Sequence, residues 1–534
     1  MVESREQLGL TYVVATLLTL ACSGPPPVDE RLEPDAAPAL ASGAARATPS
    51  SERLGQLRAA LSVEERLAAC SADPRVVTGL VTLEVCTGAD IFFRETFDGN
   101  GRTCGSCHPA ANDTTLDVPF ITRLHAQDPS DPLFVFERDP ALAELETRDL
   151  LNGAAILENV DGFEAPTQKF VSRSVNHVLS LRTSIARDPG DGSASPPVER
   201  TGWGGDGSPE DGSLRSFLTG AVRQHFTRSL ERREGTDFRL PTPEELDLTQ
   251  TFQLQLGRLE DLDLSRVSPA DAGAENGRQA FLDPNRGRCN ACHANAGAGF
   301  DLTGLNRNFD QGARRLTGNM DLGLTAGFFD GKPFVDGGFG ASEPIDGNGA
   351  GENNAFGDGS FSPPPLIEAA DTGPFFHNNA RGPEIEDAVA FYANINFTES
   401  PAAKALDARF GAPLALNAQD SNDIARLLRV LNAAFNMDIA SQRLEAAQTL
   451  AGQLGGASTN IETGLQALAG EEIDDALRVL GAVALHPEAQ ADLSTAKDDL
   501  AAGRIGDALA SLAAARAQLG SGIDYRLGQG TLMF

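Results

Sequence analysis

Apolar positions recur at helical spacing along much of the chain, and the pattern is clearest after residue 441. Two successive rows of leucine and isoleucine lie there, namely Leu465, Leu468, Ile473, Leu477 and Leu480, then Leu493, Leu500, Ile505, Leu509 and Leu512. A stripe of this kind is typical of an amphipathic helix. We therefore predict that residues 441–534 form a helical hairpin or small bundle, and they carry no chemical motif.

The same order of elements occurs twice before residue 441. A predicted helix ends in a turn rich in Asp, Asn or Gly, a cysteine motif follows, and a later helix closes the unit. The four helices are predicted at 89–97 and 244–262 in the first unit, and at 271–282 and 423–435 in the second, the last with Ser421 and Asn422 as caps. This order predicts a mostly α fold with an internal duplication, in which 61–270 and 271–440 are separate domains with long loops.

The first residues have the pattern of an export signal. Residues 8–21 are largely apolar but short for a stable membrane span, and Leu20-Ala21-Cys22 resembles the end of a bacterial lipoprotein signal. Residues 22–60 are rich in Pro, Ala, Ser and charge. We predict a signal peptide over 1–21, lipidation of Cys22 and a disordered tether over 22–60, which would place the protein in the periplasm or on the outer membrane surface.

Charge changes the range of partners. The 534 residues include 75 acidic and 43 basic ones, for a net charge of −32. No basic stripe is present to meet phosphates, so nucleic acid is excluded as a partner. The acidic surface would suit a basic redox protein, or it serves solubility alone.

Four of the seven cysteines lie in two C-x-x-C-H motifs, Cys104/Cys107/His108 and Cys289/Cys292/His293. This motif is the attachment signature of haem c, in which two thiols bond the haem vinyl groups and the histidine binds iron. The rival interpretations are a zinc site, which needs two further ligands at matching spacing, and a thioredoxin-like redox pair. Each motif has its own histidine and preceding helix, so we predict two covalent c-type haems.

Two further cysteines, Cys70 and Cys86, precede the first motif. In an oxidising compartment they would form a disulfide, and the alternative is two buried free thiols.

The segment 371–394, DTGPFFHNNARGPEIEDAVAFYAN, carries a resemblance. It is similar to the T-x-P-Y-F-H-D-G and L-E-D-A-V segments of the bacterial dihaem cytochrome c peroxidases and their MauG-like relatives. With both haem motifs in the same order, the resemblance covers about residues 85–435. It implies two cytochrome c-like haem domains and an oxidoreductase in which the haems exchange electrons.

The resemblance also suggests axial ligands. The peroxidases place a methionine three residues after the valine that matches Val389, and here that position is Tyr392, as in MauG-like enzymes. Tyr392 is thus the candidate sixth ligand of the second haem, and the alternative is a tyrosine packed at the haem edge. Met320 and Met437 are fallback thioether ligands.

Two other family features have counterparts. Trp203 resembles the tryptophan that lies between the haems, although it is equally compatible with an ordinary core position. Thr372 and Pro374 match positions whose carbonyls bind an interdomain calcium, with Asn176 as a candidate third ligand.

The first haem is implied to be the reactive one. His125 lies near where peroxidases keep a distal histidine, with a surface histidine or an open iron as alternatives. Phe217 occupies the position of a polar distal glutamine, and no glutamate aligns, so His225 or Glu231 would have to move protons. An apolar residue over the iron resembles the hydrophobic pocket of the dihaem rubber oxygenases. Because a polar distal residue is missing, we expect weak peroxide turnover.

Three functions therefore remain open. The leading one is a dihaem oxidoreductase that reduces peroxide or a related oxidant with electrons from a redox protein. The alternatives are a non-catalytic electron-transfer lipoprotein and an oxygenase acting on an apolar substrate.

Overall fold

Helices make up most of the described chain, as predicted, and the strands are short. The structure is a computed structural model that describes residues 61–138, 150–159, 165–184, 213–302, 306–316, 328–329, 332–333, 335–338, 355–356 and 359–534. The predicted signal peptide, tether and Cys22, together with Trp203 and Met320, lie outside these residues.

The described α-helices are numbered here in chain order. They are α1 Val63–Ser71, α2 Pro74–Val77, α3 Leu83–Arg94, α4 Cys104–Cys107, α5 Val118–Gln127, α6 Leu214–His225, α7 Pro243–Gln253, α8 Ala272–Leu282, α9 Ile385–Ala390, α10 Ile395–Thr398, α11 Pro401–Phe410, α12 Ala418–Leu454, α13 Thr459–Gly481, α14 Pro487–Ala501 and α15 Ile505–Ala517. Short 3₁₀ helices lie at Pro132–Glu137, Leu181–Ser184, Leu264–Arg266, Cys289–Ala291, Ala313–Arg315, Phe391–Ala393, Gly455–Ser458 and Gln529–Leu532.

The strands form four separate pairs. They are β1 Ala155–Glu158, β2 Val171–Ser174, β3 Ser268–Pro269, β4 Phe328–Phe329, β5 Lys332–Pro333, β6 Val335–Asp336, β7 Ala355–Phe356 and β8 Gly520–Ser521. The pairs β1–β2, β3–β8 and β4–β5 are antiparallel, and β6–β7 is parallel. In β1–β2, Ala155 lies opposite Ser174 and Glu158 opposite Val171.

Each cysteine motif follows a helix that is crossed closely by a later one. In the first half α3 packs against α7, and a Cβ added at Gly88 would lie 2.0 Å from the carbonyl oxygen of Leu248. In the second half α8 packs against α12, and a Cβ at Gly277 would lie 1.9 Å from the carbonyl oxygen of Asp423. Both crossings therefore depend on a glycine in the helix before the motif.

The predicted helices are present, but their ends differ. The helix predicted over 89–97 is α3, which begins earlier because the Thr82 side chain accepts a hydrogen bond from the backbone N–H of Val85. The helix predicted over 244–262 ends at Gln253, and the chain then turns through Gly257, whose φ is +69°. The helix predicted over 271–282 is α8, with Asp271 as its N-cap.

The largest difference concerns α12. The helix predicted over 423–435 runs unbroken from Ala418 to Leu454 and is capped by Asn417. The predicted caps Ser421 and Asn422 were wrong because both lie inside the helix, where the Ser421 hydroxyl donates to the carbonyl oxygen of Asn417. The expected boundary between residues 440 and 441 falls within this helix.

The core of the second half is continuous with that of the C-terminal helices. Leu431, Phe435 and Met437 of α12 share one buried cluster with residues of α8, α9, α13, α14 and α15. Met437 is wholly buried in it. All described residues belong to one unit, Pro49–Phe534.

The expected disulfide is confirmed. Cys70 of α1 and Cys86 of α3 are bonded, with their Cα atoms 5.8 Å apart. It fastens α1 to the helix that precedes the first motif. None of the described helices combines the length and apolar character needed to cross a membrane.

Candidate functional site

Each cysteine motif folds into one short turn, and the same backbone hydrogen bond closes both turns. The backbone N–H of His108 donates to the carbonyl oxygen of Cys104 over 2.9 Å, and that of His293 donates to Cys289 over 2.9 Å. The first motif forms the short helix α4, and the second a 3₁₀ turn that begins at Arg288, whose φ is +56°. Each turn therefore places two thiols and an imidazole in one local arrangement.

The two histidines are oriented alike. Nδ1 of His108 lies 2.8 Å from the carbonyl oxygen of Thr114, and Nδ1 of His293 lies 3.0 Å from that of Pro364. A carbonyl only accepts, so Nδ1 carries the proton and Nε2 keeps its lone pair. Burial is the main cause that lowers the pKa of each imidazole to about 4, so both are neutral near pH 7. A neutral imidazole held by its Nδ1–H is the usual form of a metal-ligating histidine.

The four motif thiols are not bonded to one another. Burial raises the pKa of Cys104, Cys289 and Cys292 to about 12, so these side chains are thiols rather than thiolates. Thioredoxin-like exchange uses a thiolate, so burial of these thiols disfavours it. Within the described ranges, no three His, Cys, Asp or Glu side chains are grouped so as to hold a metal ion themselves.

A cavity of about 270 Å³ opens at the second motif. Cys289, Cys292 and His293 line it, and most of its remaining wall is apolar, including Phe281 of α8 and Leu428 of α12. The crossing helices of the second half thus supply part of the wall, and the segment after β2 supplies another part.

Tyr392 lies on the wall of this cavity. Its hydroxyl donates to Oε1 of Gln311 over 3.3 Å. Burial raises the pKa of its phenol, and the nearby Cys289 and Cys292 add to the effect. The structure therefore places Tyr392 beside the second motif, and its role as an iron ligand stays a prediction.

The three candidate calcium residues line the same cavity. Asn176 comes from the segment after β2, Thr372 precedes the cis peptide Gly373–Pro374, and Pro374 is its second residue. The Thr372 hydroxyl donates to the carbonyl oxygen of Glu368 over 3.0 Å, and Asn176 Oδ1 accepts from Ser174 Oγ over 3.2 Å. The structure brings these residues to one cavity, and calcium there stays a prediction.

The residues expected at the first haem are distributed differently. Phe217 of α6 lines the cavity of the second motif. His125 lies on the surface of α5, where its Nε2 is 2.9 Å from Glu137 Oε1 and its ring packs edge-on against Phe134. Its imidazole is 36% exposed, so solvent reaches it directly.

His225 ends α6 and lies near the first motif, since its carbonyl oxygen accepts a hydrogen bond over 2.9 Å from Asn100, four residues before Cys104. Its Nε2 is 3.3 Å from Oε2 of Glu158 on β1, and their side chains are only 13% and 7% exposed. The exposed Glu231 pairs instead with Arg233. The sequence analysis missed Glu158 because it precedes the region where a carboxylate was expected. Hydrogen bonds between the residue after it, Asn159, and the end of α6 bring it to His225.

A buried polar network adjoins this pair. Arg232 donates to Oδ1 of Asn159 over 2.7 Å, and Nε2 of Gln224 donates to the carbonyl oxygen of Asn159 over 3.2 Å. These bonds join the end of α6 to β1, so they fix the positions of both His225 and Glu158. Comparisons of the chain with protein families, with curated proteins and with solved structures found no match.

Proposed function

We propose that this chain is a dihaem c-type cytochrome, an oxidoreductase of the cytochrome c peroxidase/MauG type. It would transfer electrons between two haems and reduce peroxide or a related oxidant. The observation that carries the proposal is the repeated C-x-x-C-H turn, in which each histidine is neutral and held by Nδ1 on a carbonyl. Haem attachment needs this combination of two thiols and an Nε2 lone pair.

The side chains divide the work between the two motifs. Cys104 and Cys107, and likewise Cys289 and Cys292, would form thioether bonds, and His108 and His293 would be the axial ligands. When bound, a c-type haem supplies an iron that exchanges single electrons and, if one axial position is open, binds small ligands. The apolar walls of the second cavity would exclude water from its haem.

Peroxide reduction consumes one proton for each electron. His225 and Glu158 form the candidate proton source at the first site, because His225 is bonded to Asn100 just before the first motif and Glu158 holds its Nε2. General acid–base help of this kind is usually worth roughly 10²–10⁴ in rate.

The apolar wall that includes Phe217 favours a second candidate, an oxygenase that takes an apolar substrate. A third, the non-catalytic electron carrier, requires both irons to be six-coordinate. Under each candidate the protein is exported, lipid-anchored through Cys22 and served by a redox protein, with calcium at Asn176, Thr372 and Pro374 as a further proposal.

The test begins with a haem count. Protein produced in a host that attaches haem c should keep its pigment in acid acetone, and a pyridine haemochrome assay should find two haems per chain. Cys104→Ala and Cys289→Ala should each lower the count by one. Release of the pigment would refute the proposal.

Spectroscopy then separates the candidates. A high-spin ferric signal in EPR and carbon monoxide binding by the reduced protein indicate an open site. Wholly low-spin iron without carbon monoxide binding in any redox state indicates the carrier. Peroxide turnover against consumption of dioxygen with an apolar substrate separates the two enzymes.

A further inference from the structure

Three of the seven histidines line the cavity of the second motif, namely His177, His293 and His377. His293 is the motif histidine, and its Nδ1 is bonded to Pro364. The Nδ1 atoms of His177 and His377 are buried without a hydrogen-bond partner in the protein. Buried polar atoms nearly always have a partner, and a partner that is not protein is a ligand or an ordered water. Both imidazoles therefore point to a polar group held in this cavity.

His177 differs from His377 in its connection to the first motif. The backbone N–H of Val178 donates to Thr114 Oγ1 over 3.0 Å, and the hydroxyl of Thr115 donates to the carbonyl oxygen of Val175. The carbonyl oxygen of Thr114 also accepts the hydrogen bond from Nδ1 of His108. One pair of buried threonines thus holds the axial histidine of the first motif and the segment 175–178 of the second cavity.

His377 lies in different surroundings. His377 instead stacks on Phe361, with ring centroids 4.4 Å apart, and faces Asp336. Its backbone carbonyl oxygen accepts from the N–H of Ser174, so this backbone bond joins His377 to β2.

We infer that His177 couples the two haem sites: its Nδ1 would hydrogen-bond a polar group of the haem in the second cavity, and its segment holds the loop that orients His108. His177 is a positioning residue in this role. The inference rests on the proposed function, because it needs a haem at each motif. Coupling of this kind is reciprocal, so reduction of either haem alters the binding of an electron at the other by the same factor.

The test is a spectroelectrochemical titration of both haems in His177→Phe, with EPR of the ferric protein. Phenylalanine keeps an aromatic ring at this position but removes Nδ1. We expect the reduction equilibrium of each haem to change by about tenfold, which is 59 mV for a one-electron couple. His177→Asn, which restores an N–H near the position of Nδ1, should recover part of the change.

Two variants separate coupling from local damage. His377→Phe removes the other unpartnered Nδ1 of the cavity, but His377 lies outside the segment 175–178 that is bonded to the first loop. This variant should therefore shift the reduction potential of the second haem alone. Thr114→Val removes the bond from Val178 but keeps the carbonyl oxygen that is bonded to His108. It should therefore shift the reduction potential of the first haem without a change in the side chains of the cavity.

The inference is overturned if His177→Phe leaves the reduction potential of the first haem unchanged. It is also overturned if His377→Phe shifts that potential equally. If His177→Phe does not incorporate haem, Thr114→Val decides, and an unchanged first haem contradicts the coupling. The haem count of the unmodified protein is measured first. Fewer than two covalent haems refutes the proposed function, whereas two haems with no effect of His177 refutes only the coupling.

Discussion

Nε2 of His225 lies 3.3 Å from Oε2 of Glu158, and little of either side chain reaches solvent. The pair joins the end of α6 to β1 beside the first cysteine motif. A second histidine–glutamate pair, His125 and Glu137, lies about as close but on the surface. The two pairs have the same chemistry in different surroundings, which gives a matched comparison.

Glu158→Gln should lower peroxide turnover by about 10²-fold, because the amide keeps the shape of the pair but cannot pass a proton to the imidazole. Steady-state turnover with a small electron donor measures the effect, and carbon monoxide binding should not change. Glu137→Gln should leave turnover as it is. Equal rates for Glu158→Gln and the unmodified protein would exclude this pair as the proton source.

Tyr392→Phe should alter the EPR signal of the second haem and raise its potential, since a phenolate ligand stabilises ferric iron. Tyr525→Phe is the control, because Tyr525 is partly buried like Tyr392 but donates to the carbonyl oxygen of Leu431. If the spectrum and the redox titration of Tyr392→Phe match those of the unmodified protein, Tyr392 is not a ligand.

Gly88→Ala and Gly277→Ala should each destabilise the fold by about 1–3 kcal/mol or more, because the added methyl group meets a backbone carbonyl at 2.0 and 1.9 Å. Haem content and the midpoint of denaturant unfolding report the loss. Gly470→Ala in α13 is the control, since its Cβ would meet only Leu500 at 3.8 Å. That variant should gain up to about 1 kcal/mol from helix propensity, and a comparable loss there would show that the crossings are not special.

The double variant Cys70→Ser/Cys86→Ser should lose about 3 kcal/mol, because the bond restricts a short loop in the unfolded chain. Urea unfolding with both haems retained measures the difference. Mild reduction of the unmodified protein should reproduce the loss, and reduction should not affect the double variant. Equal stability of the oxidised, reduced and substituted proteins would mean that the bond contributes nothing.

Local patterns predicted the helices well and their ends less well. The apolar stripe and Asp271 were enough to place α8, whereas the end of α7 depends on Gly257 approaching Ser180, a contact between distant segments. The motifs identified the candidate haem residues because their chemistry lies within five consecutive positions. Glu158 and His177 could not be found in this way, since each acquires its surroundings from a segment far away in the chain.

The segment 529–534 returns to the first half of the molecule. Leu532 and Met533 belong to the same buried cluster as Cys86 and Phe92, and the carbonyl oxygen of Leu532 accepts from Arg75 across 457 positions. Contacts so distant in sequence form late, because closing a long loop costs entropy before any contact compensates for it. When the first cysteine motif leaves the ribosome, its surroundings are therefore incomplete. An enzyme that attaches a prosthetic group to Cys104 and Cys107 would act on a chain that is not yet fully folded. The segment 529–534 would then pack after the group is attached.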